Sequence, residues 1–275
     1  MAGDKTVAVA FGGGGARGIA HIHIIEVLDE LGIKPVAISG TSIGAIMGAA
    51  MASGMSGLEL REYVAETTGK PSNIASKLWK SRRPTWKSAI AEGLRLGQFD
   101  IERILNAFLP EQIPEEFTDL KIPTKLIATD YYGHYETVMD QGNLRSAIAA
   151  SAAIPAVFKP VFRNDRFLID GGIYNPLPFD HLKGMADIVI AIDVAGFPTG
   201  DASIRPSTTD AAFGASQLMM QSNINSRLQN SPPDIFLVPD VHDFRVLDFL
   251  QADEVLEASS GIRETLKTAL GQLLD

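Results

Sequence analysis

The sequence predicts an α/β protein with a parallel sheet covered by helices on both faces. Three observations indicate this fold class. Short apolar runs, typical of strands buried on both faces, alternate with segments whose apolar residues recur at helical spacing. The chain opens in the order strand, helix, strand, helix, which favours parallel pairing through crossover connections. A length of 275 residues without internal repeats or low-complexity tracts predicts a single domain over residues 1–275.

The first two βα units are the clearest part of the pattern. Residues 7–11 (VAVAF) predict a strand that ends at four glycines, and residues 18–31 predict a helix that stops at Gly32. Residues 36–38 and 43–52 then predict a second strand and a second, nearly uncharged helix. Further strands are expected over 124–129, 136–139, 167–169, 188–193 and 235–238, and further helices over 144–150, 210–228 and 254–273.

Residues 58–110 differ from the rest of the chain. Stretches with a helical pattern alternate there with polar stretches, and breaks occur around Pro71 and Pro84. We interpret them as an insertion within the domain that resembles a cap or lid.

Composition excludes several classes of function. The chain has 24 Lys and Arg against 33 Asp and Glu, a net charge of −9, which argues against a nucleic-acid binder. It has no cysteine, so disulfides, thiolate catalysis and cysteine-ligated metals are excluded. His, Asp and Glu do not cluster at ligand spacing, and we therefore expect no metal and no cofactor.

The beginning of the chain predicts its location. Met1 to Lys5 lead directly into the first strand, without the basic and apolar regions of a signal peptide. Residues 35–58 carry no charge, but their glycines and serines favour a buried strand, turn and helix over a membrane span. A cytoplasmic protein is expected, with peripheral contact at the inner membrane face left open.

The segment Gly40-Thr41-Ser42-Ile43-Gly44 is the most specific motif. It is a G-x-S-x-G sequence between a predicted strand and a predicted helix, which is the context of a nucleophile elbow. The turn lifts the serine hydroxyl above the sheet edge, and the flanking glycines avoid collisions with the strand and the helix. Ser42 is therefore the candidate nucleophile, supported by Gly40 and Gly44.

A serine nucleophile needs a base, and the histidines are poorly placed to supply one. An α/β-hydrolase triad would have to use His181 or His242, but that fold needs several strands before the elbow and this chain offers fewer. His21 and His23 are two residues apart on the first helix, where they cannot face one ligand, and we interpret both as structural.

The glycine-rich segment of residues 12–18 lies between the first strand and the first helix. Its backbone N–H groups can form an anion-binding nest, and adjacent parallel strands bring it beside the elbow. We expect Gly13, Gly14 and Gly15 to form an oxyanion hole, with Arg17 pinning the loop or adding charge.

The same loop also satisfies a nucleotide-binding pattern, Gly13-x-Gly15-x-x-Gly18. A dinucleotide site requires an acid about 20 residues further on, at the end of the second strand, where this chain has Ser39-Gly40-Thr41. A Walker A loop fails as well, because Ile19 and Ala20 stand where Lys and Ser or Thr are required.

A third motif supplies the candidate base. In Leu168-Ile169-Asp170-Gly171-Gly172 an acid ends a predicted strand, and the two glycines that follow, Gly171 and Gly172, let the backbone turn tightly. Asp170 needs a pKa above its reference value of about 3.9 for this role, so partial desolvation is expected.

Together these motifs make the chain similar to the patatin-like phospholipase family. The resemblance consists of the glycine loop, the elbow, the Asp-Gly-Gly motif and the segment 149–158, and it runs from about residue 6 to residue 193. It implies a three-layer α/β/α fold and hydrolysis of an acyl ester by a Ser42–Asp170 dyad without histidine. A lipid or a small ester is the implied substrate. The alternatives left open are a non-catalytic adaptor with the same fold and, less favoured, a nucleotide-binding protein.

One further segment lies outside these motifs. Residues 77–87, from Lys77 to Lys87, hold five basic residues, no acid and both tryptophans, Trp79 and Trp86. Such a composition suits transient contact with a membrane surface as a lid over the site. A solvated connector with inward-packed tryptophans explains the composition equally well.

Overall fold

The computed structural model describes residues 5–68, 99–201 and 203–274. Its strands are β1 Val7–Phe11, β2 Ala37–Thr41, β3 Thr124–Asp130, β4 Tyr135–Met139, β5 Val161–Arg163, β6 Arg166–Asp170, β7 Ile188–Ile192 and β8 Ile235–Leu237. Its helices are α1 His21–Glu30, α2 Ile43–Ala52, α3 Gly57–Thr68, α4 Ile101–Phe108, α5 Leu144–Ser151, α6 Thr208–Asn230, α7 Ala252–Ala258 and α8 Ile262–Leu274. Short 3-10 turns cover Gly15–Ala20, Phe117–Asp119, Gly171–Ile173, Phe179–Leu182 and Phe249–Gln251.

All eight strands belong to one mixed sheet, in the order β5-β6-β3-β2-β1-β7-β8 with β4 paired to β3. Strands β3, β2, β1, β7 and β8 run parallel. Strands β4 and β6 are antiparallel to β3, and β5 is antiparallel to β6. The register shows that β2 and β6 share one edge of β3. Thr41 pairs with Ile127 and Asp170 with Ala128, while β4 occupies the other edge along 126–130. The last residues of β2 and β6 therefore meet.

Helices cover both faces of the sheet, as the alternating strand and helix pattern predicts. Along β1, Val7, Val9 and Phe11 belong to the larger core, which includes α1, α2, α5 and α8, whereas Ala8 and Ala10 belong to a smaller core. That smaller core is closed by the 3-10 turn Phe179–Leu182 and by α6. The alternation follows from the two-residue period of a strand. The small alanines let the covering turn lie close to the sheet.

Two predicted elements differ from the structure. Strand β5 has only three residues and was not expected, because a run this short carries little periodicity. The single helix predicted over 254–273 is two helices, α7 and α8, separated by Ser259, Ser260 and Gly261. The Ser259 hydroxyl donates to the Val255 carbonyl, and serine and glycine are weak helix formers.

The described ends of the expected 58–110 insertion pack into the main core. Leu60 of α3 and Ile101 and Leu105 of α4 are buried there. The Tyr63 hydroxyl donates to the Phe108 carbonyl and so connects the two helices. The expected lid and the basic, tryptophan-bearing segment 77–87 lie outside the described residues. No helix among residues 5–68, 99–201 and 203–274 is long and apolar enough to cross a bilayer.

Candidate active site

Ser42 occupies a sharp turn between β2 and α2. Its φ of 56° and ψ of −122° lie in a region that L residues rarely adopt. The two glycines of the motif allow this turn. A Cβ on Gly40 would lie 2.4 Å from the Gly44 carbonyl oxygen, and one on Gly44 would lie 2.1 Å from the Phe11 carbonyl oxygen. The local geometry is that of a nucleophile elbow, with the hydroxyl at the carboxyl edge of the parallel strands.

Asp170 faces Ser42 across the junction of β2 and β6. The Ser42 hydroxyl donates to Asp170 Oδ2 over 2.7 Å. The other carboxylate oxygen, Oδ1, accepts the backbone N–H of Gly172 over 2.7 Å. Gly171 is needed for close packing, because a Cβ there would lie 2.2 Å from the Ile127 carbonyl oxygen. Both carboxylate oxygens of Asp170 are thus fixed by motif residues.

Burial makes Asp170 a weaker acid than an exposed aspartate. The residue is 7% exposed. Desolvation raises the pKa of its carboxyl group to about 6, and the hydrogen bonds from Ser42 and Gly172 oppose that rise. A carboxylate with this pKa is still ionised at pH 7 and is a stronger base than an exposed aspartate.

The glycine-rich loop lies against the elbow, since a Cβ on Gly13 would lie 3.3 Å from Ser42 Cβ. Its N–H groups are not equivalent. The Gly13 N–H donates to the Pro176 carbonyl over 2.9 Å. Gly14 and Gly15 line the pocket beside Ser42, and no acceptor for their N–H groups is found among the described residues. Two of the three expected donors therefore belong to residues that line the pocket and have no acceptor among the described residues.

Arg17, in the same loop, is only 2% exposed and also lines the pocket. Its Nε donates to the Val194 carbonyl over 3.2 Å and its Nη1 to the Phe244 carbonyl over 3.1 Å. With the Gln217 amide oriented to accept, Nη1 also lies 2.6 Å from its oxygen. Desolvation lowers the pKa of the guanidinium to about 10, so the group remains charged at neutral pH. These contacts connect the loop to the segments after β7 and β8 and to α6.

The end of helix α5 holds both members of the pair. The Ser42 backbone N–H donates to the Ser151 hydroxyl over 2.9 Å, and that hydroxyl donates to the Ile127 carbonyl over 2.5 Å. The Asp170 N–H donates to the Ala153 carbonyl over 3.0 Å. Ser151 is fully buried. Sequence reasoning placed the segment 149–158 beside the site but did not identify Ser151 as a contact of the nucleophile.

A pocket of about 60 Å³ opens over the pair. Ser42, Asp170, Gly14 and Gly15 lie at its polar end. Much of the remaining wall is apolar and comes from Ile154, Pro155, Ile173, Phe213, Met220 and Val246. Helix α6 supplies Phe213 and Met220, so it closes one side of the pocket. The pocket thus combines a serine hydroxyl and two glycines, whose N–H groups have no acceptor in the described chain, with a surface suited to an aliphatic chain.

None of the five histidines lines this pocket. His21 is fully buried, its Nε2 lies 2.9 Å from the Gly12 carbonyl, and burial lowers its pKa to about 4. The neutral ring therefore braces the glycine loop from behind. His23 is bonded to the Leu256 carbonyl over 2.8 Å. The two side chains diverge, as their two-residue spacing predicts.

The acids Glu136, Asp180 and the nearby His181 form a second polar cluster, whose potential ligand atoms lie within 4.8 Å of one another. None of these residues lines the pocket. Arg227 Nη1 lies 2.5 Å from Asp180 Oδ2, and Nη2 lies 3.6 Å from Glu136 Oε2. Arg227 thus pairs with both carboxylates. The clustering itself differs from the expectation that His, Asp and Glu do not gather at ligand spacing, because these residues are distant in sequence.

Two other strand-end acids, Asp130 and Asp193, are nearly inaccessible. Each accepts from a nearby backbone N–H, Gly133 for Asp130 and Ala195 for Asp193, over 2.8 Å in both cases. Both carboxylates therefore cap the backbone locally.

The end of β2 carries no acid that could bind a ribose. The Ser39 hydroxyl donates to the Pro178 carbonyl and the Thr41 hydroxyl to the Asn175 carbonyl. Both groups are buried. Strand β2 therefore offers no side chain that would bind the ribose of a nucleotide held by the glycine loop.

Comparisons with known proteins agree with this fold and identify the family. Residues 9–183 match the family model described as Patatin-like phospholipase. An "Uncharacterized NTE family protein" of Mycobacterium tuberculosis is 36% identical over 197 residues, which is 71% of this chain and 51% of that protein. The mouse "Patatin-like phospholipase domain-containing protein 7" is 29% identical over 94% of this chain and 20% of its own length. The chain thus spans about half the length of the mycobacterial relative.

Among solved structures, VipD from Legionella pneumophila aligns with 95% of this chain and 67% of that chain. The TM-score is 0.51 and the identity is 13%, a likeness of fold alone. The family model covers more than half of the sequence and includes the elbow, the glycine loop and the Asp-Gly-Gly motif. This chain belongs to the patatin-like phospholipase family.

Proposed function

We propose that this protein is a serine acyl-ester hydrolase that acts on lipids through a dyad of Ser42 and Asp170. The observation that carries the proposal is the 2.7 Å hydrogen bond from the Ser42 hydroxyl to a buried carboxylate. A serine hydroxyl is a weak nucleophile until a base accepts its proton. Here the only side chain that accepts from Ser42 Oγ among the described residues is Asp170.

In the first half of the reaction, Ser42 Oγ attacks the ester carbonyl carbon while its proton passes to Asp170 Oδ2. The carbonyl π electrons move to oxygen and form a tetrahedral oxyanion. Collapse of this intermediate breaks the bond to the alcohol, which leaves with the proton held by Asp170. An acyl group remains on Ser42.

The glycine loop would stabilise the oxyanion. The N–H groups of Gly14 and Gly15 are the proposed donors, because both face the pocket and lack other acceptors in the described chain. The Gly13 N–H already donates to Pro176, so its proposed part is to hold the loop in place. One such donor contributes about 3 kcal/mol to the stability of a transition state. Gly40, Gly44, Gly171 and Gly172 support the geometry, and Arg17 anchors the loop.

In the second half, a water molecule attacks the acyl carbonyl and Asp170 accepts its proton. The new tetrahedral intermediate releases the fatty acid, and the proton on Asp170 returns to Ser42 Oγ. A pKa of about 6 suits both steps, because the same group must accept and then give back a proton near neutral pH.

The pocket wall supports an acyl chain as the part of the substrate beside the dyad. Ile154, Ile173, Phe213 and Met220 form an apolar lining. Relatives named "Lysophospholipase nte1" of Aspergillus niger, 25% identical over 92% of this chain, and "Patatin-like phospholipase domain-containing protein 7" also favour a lipid ester. The chain covers only 17% and 20% of these relatives, so their names support the substrate class and no finer assignment.

The test is hydrolysis of two esters, soluble p-nitrophenyl butyrate and lysophosphatidylcholine, by the wild type and by Ser42→Ala. We expect the wild type to release both products and the variant to release neither. A second serine-to-alanine variant, Ser146→Ala on the outer part of α5, controls for loss of structure. Turnover by Ser42→Ala at the wild-type rate would reject the proposal.

A further inference from the structure

Exposed aromatic side chains form one contiguous cluster at the carboxyl edge of the sheet. Tyr131, Tyr132, Phe162 and Phe167 are 53%, 72%, 60% and 45% exposed. We call these four residues the aromatic cluster. Large apolar side chains are normally found singly on a surface, so four adjoining rings mark a surface of interaction.

Strand register explains why these rings adjoin. Phe162 of β5 is paired with Phe167 of β6, and their ring centroids lie 5.0 Å apart. The Tyr131 N–H donates to the Phe167 carbonyl, which continues the ladder just beyond β3. Tyr132 then packs on Tyr131 at 4.9 Å and on Phe167 at 6.3 Å between centroids. The rings contact one another while remaining open to solvent.

The cluster lies at the same edge of the sheet as Ser42 and Asp170 and further out along the strands. Asp170 is paired with Ala128 of β3. The Phe167 carbonyl accepts from the N–H of Tyr131, which is three residues further along the chain than Ala128. At about 3.3 Å per residue the cluster stands about 10 Å outside the level of the dyad. Ile173 lines the pocket and is itself 42% exposed, and the hydroxyl of its neighbour Tyr174 donates to the His134 carbonyl in the β3–β4 turn. Tyr174 thus connects the segment beside the pocket to the β3–β4 turn, in which Tyr131 and Tyr132 also lie.

Apolar side chains also flank the pocket elsewhere on the same edge of the sheet. Val246 lines the pocket, and Leu247 and Leu250 beside it in the chain are 50% and 56% exposed. They follow β8 in the chain, as the pocket-lining Val246 does. A second pair of exposed apolar residues thus lies close in the chain to the pocket wall.

We propose that the aromatic cluster, with Leu247 and Leu250, is the surface through which this protein enters the interface of a phospholipid bilayer. The inference rests on the proposed lipid substrate. Tyrosine suits this depth because its ring is apolar and its hydroxyl remains hydrated among the head groups. A protein partner seated on the same surface would cover the pocket mouth, whereas a bilayer would deliver the substrate to it.

Charge indicates how the surface works. The chain carries a net charge of −9, so anionic lipid does not attract the molecule as a whole. Arg163 and Arg166 flank the paired phenylalanines, but Arg166 is paired with Asp130. We expect insertion of apolar side chains to supply most of the binding energy. We therefore expect vesicles of phosphatidylcholine to bind the protein at least as well as equimolar mixtures of phosphatidylcholine and phosphatidylglycerol.

The absence of cysteine allows a direct test with single labels. Phe162→Cys and Leu31→Cys place an environment-sensitive fluorophore at two exposed apolar positions, 60% and 46% exposed, on opposite edges of the sheet. Addition of phosphatidylcholine vesicles should shift the emission at position 162 to shorter wavelength and leave that at position 31 unchanged. Equal shifts at both positions, or no shift at 162, would overturn the proposal.

A matched pair of double variants gives the second measurement. Tyr132→Ala with Phe162→Ala should lower partitioning onto phosphatidylcholine vesicles by about tenfold or more. Leu31→Ala with Leu58→Ala, which removes exposed leucines near the opposite edge, should leave it unchanged. Equal partitioning of the first pair and the wild type, or an equal loss in both pairs, would contradict the proposal.

Hydrolysis of soluble p-nitrophenyl butyrate separates this inference from the proposed function. The Tyr132 and Phe162 variant should hydrolyse it at the wild-type rate, which also shows that the variant is folded. If the wild type binds vesicles through the cluster but hydrolyses no ester, the proposed membrane-binding surface is supported and the proposed function is rejected. If it hydrolyses the ester but the label at 162 does not shift, the membrane surface fails alone.

Discussion

Ser42 and Asp170 meet because two strands of opposite direction end at adjacent positions along one edge of β3. Thr41 is paired with Ile127 and Asp170 with Ala128, and the serine hydroxyl and the carboxylate are 2.7 Å apart. A parallel strand thus delivers the nucleophile and an antiparallel strand delivers the base. Helix α5 then fixes both backbones through Ser151 and Ala153. The sheet brings the two residues together, and the hydrogen bonds at the end of α5 hold them there.

The first prediction concerns the pH dependence of hydrolysis. Asp170 must be deprotonated to accept a proton, and burial raises its pKa to about 6. We expect kcat/KM for p-nitrophenyl butyrate to be low below pH 5 and to rise through about pH 6 to a plateau. Initial rates from pH 4 to pH 9, taken over a range in which circular dichroism shows no unfolding, measure this. An acidic limb near pH 4, typical of an exposed carboxylate, would contradict the assignment.

The second prediction concerns stability. The pKa of Asp170 is higher in the folded state than in the unfolded chain, so the folded state binds the proton more tightly and loses stability as pH rises from about 4 through 6. The shift from 3.8 to about 6 corresponds to a cost of about 3 kcal/mol at pH 8. Asp170→Asn removes this cost and should raise the free energy of unfolding by about 2 kcal/mol at pH 8, and by little at pH 4.

Urea unfolding at the two pH values measures the effect. Asp140→Asn, at an exposed strand-end acid, should change the free energy of unfolding at neither pH. A loss of stability in Asp170→Asn at pH 8 would show that its carboxylate is stabilised in the folded protein, contrary to this account.

The third prediction assigns a positioning part to Ser151. Ser151→Ala leaves the Ser42 N–H without its acceptor in a fully buried site, a cost of about 1–3 kcal/mol. Because the elbow is strained, we expect Ser42 to shift and kcat to fall about tenfold to hundredfold with little change in KM. Ser151→Thr retains the hydroxyl and should recover part of the rate.

Ser146→Ala, on the same helix but bonded away from Ser42, is the matched control and should retain the wild-type kcat. A Ser151→Ala enzyme with unchanged kcat would show that the contact is only structural.

The fourth prediction tests the glycine loop. A Cβ on Gly14 would lie 2.0 Å from the Val194 carbonyl oxygen, so Gly14→Ala must displace the loop. Loss of the proposed oxyanion donors should lower kcat about 10²- to 10³-fold. Gly271→Ala, where a Cβ meets nothing within 4 Å, should leave kcat unchanged. Equal rates in the two variants would exclude the loop from transition-state stabilisation.

Much of the fold and of the candidate site could be predicted because its signals are local. Ser42, Asp170 and the glycine loop each follow a strand, and the carboxyl ends of parallel strands meet at one edge. The glycines around them were identified from the tight turns they permit. The structure places all of these residues together, although β6 approaches from the opposite direction to β2.

The rest depends on contacts distant in sequence. Ser151 is one small residue in an alanine-rich helix, and only its position against the elbow, 109 residues away, gives it a part in the site. The Gly13 N–H is bonded to Pro176, which no local pattern indicates. The sequence does not predict that the aromatic cluster is exposed, because phenylalanines such as Phe162 and Phe167 are typical of buried strands. Their exposure follows from their position beyond the end of β3.

The central claim is that Asp170 activates Ser42, and a serine-reactive fluorophosphonate tests it without a choice of substrate. Wild type, Ser42→Ala and Asp170→Asn are treated in parallel, and the modified residue is mapped by mass spectrometry. We expect the wild type to be labelled at Ser42, Ser42→Ala not at all, and Asp170→Asn at least about 10²-fold more slowly. Labelling of Asp170→Asn at the wild-type rate, or of a folded wild type at a residue other than Ser42, would contradict the account.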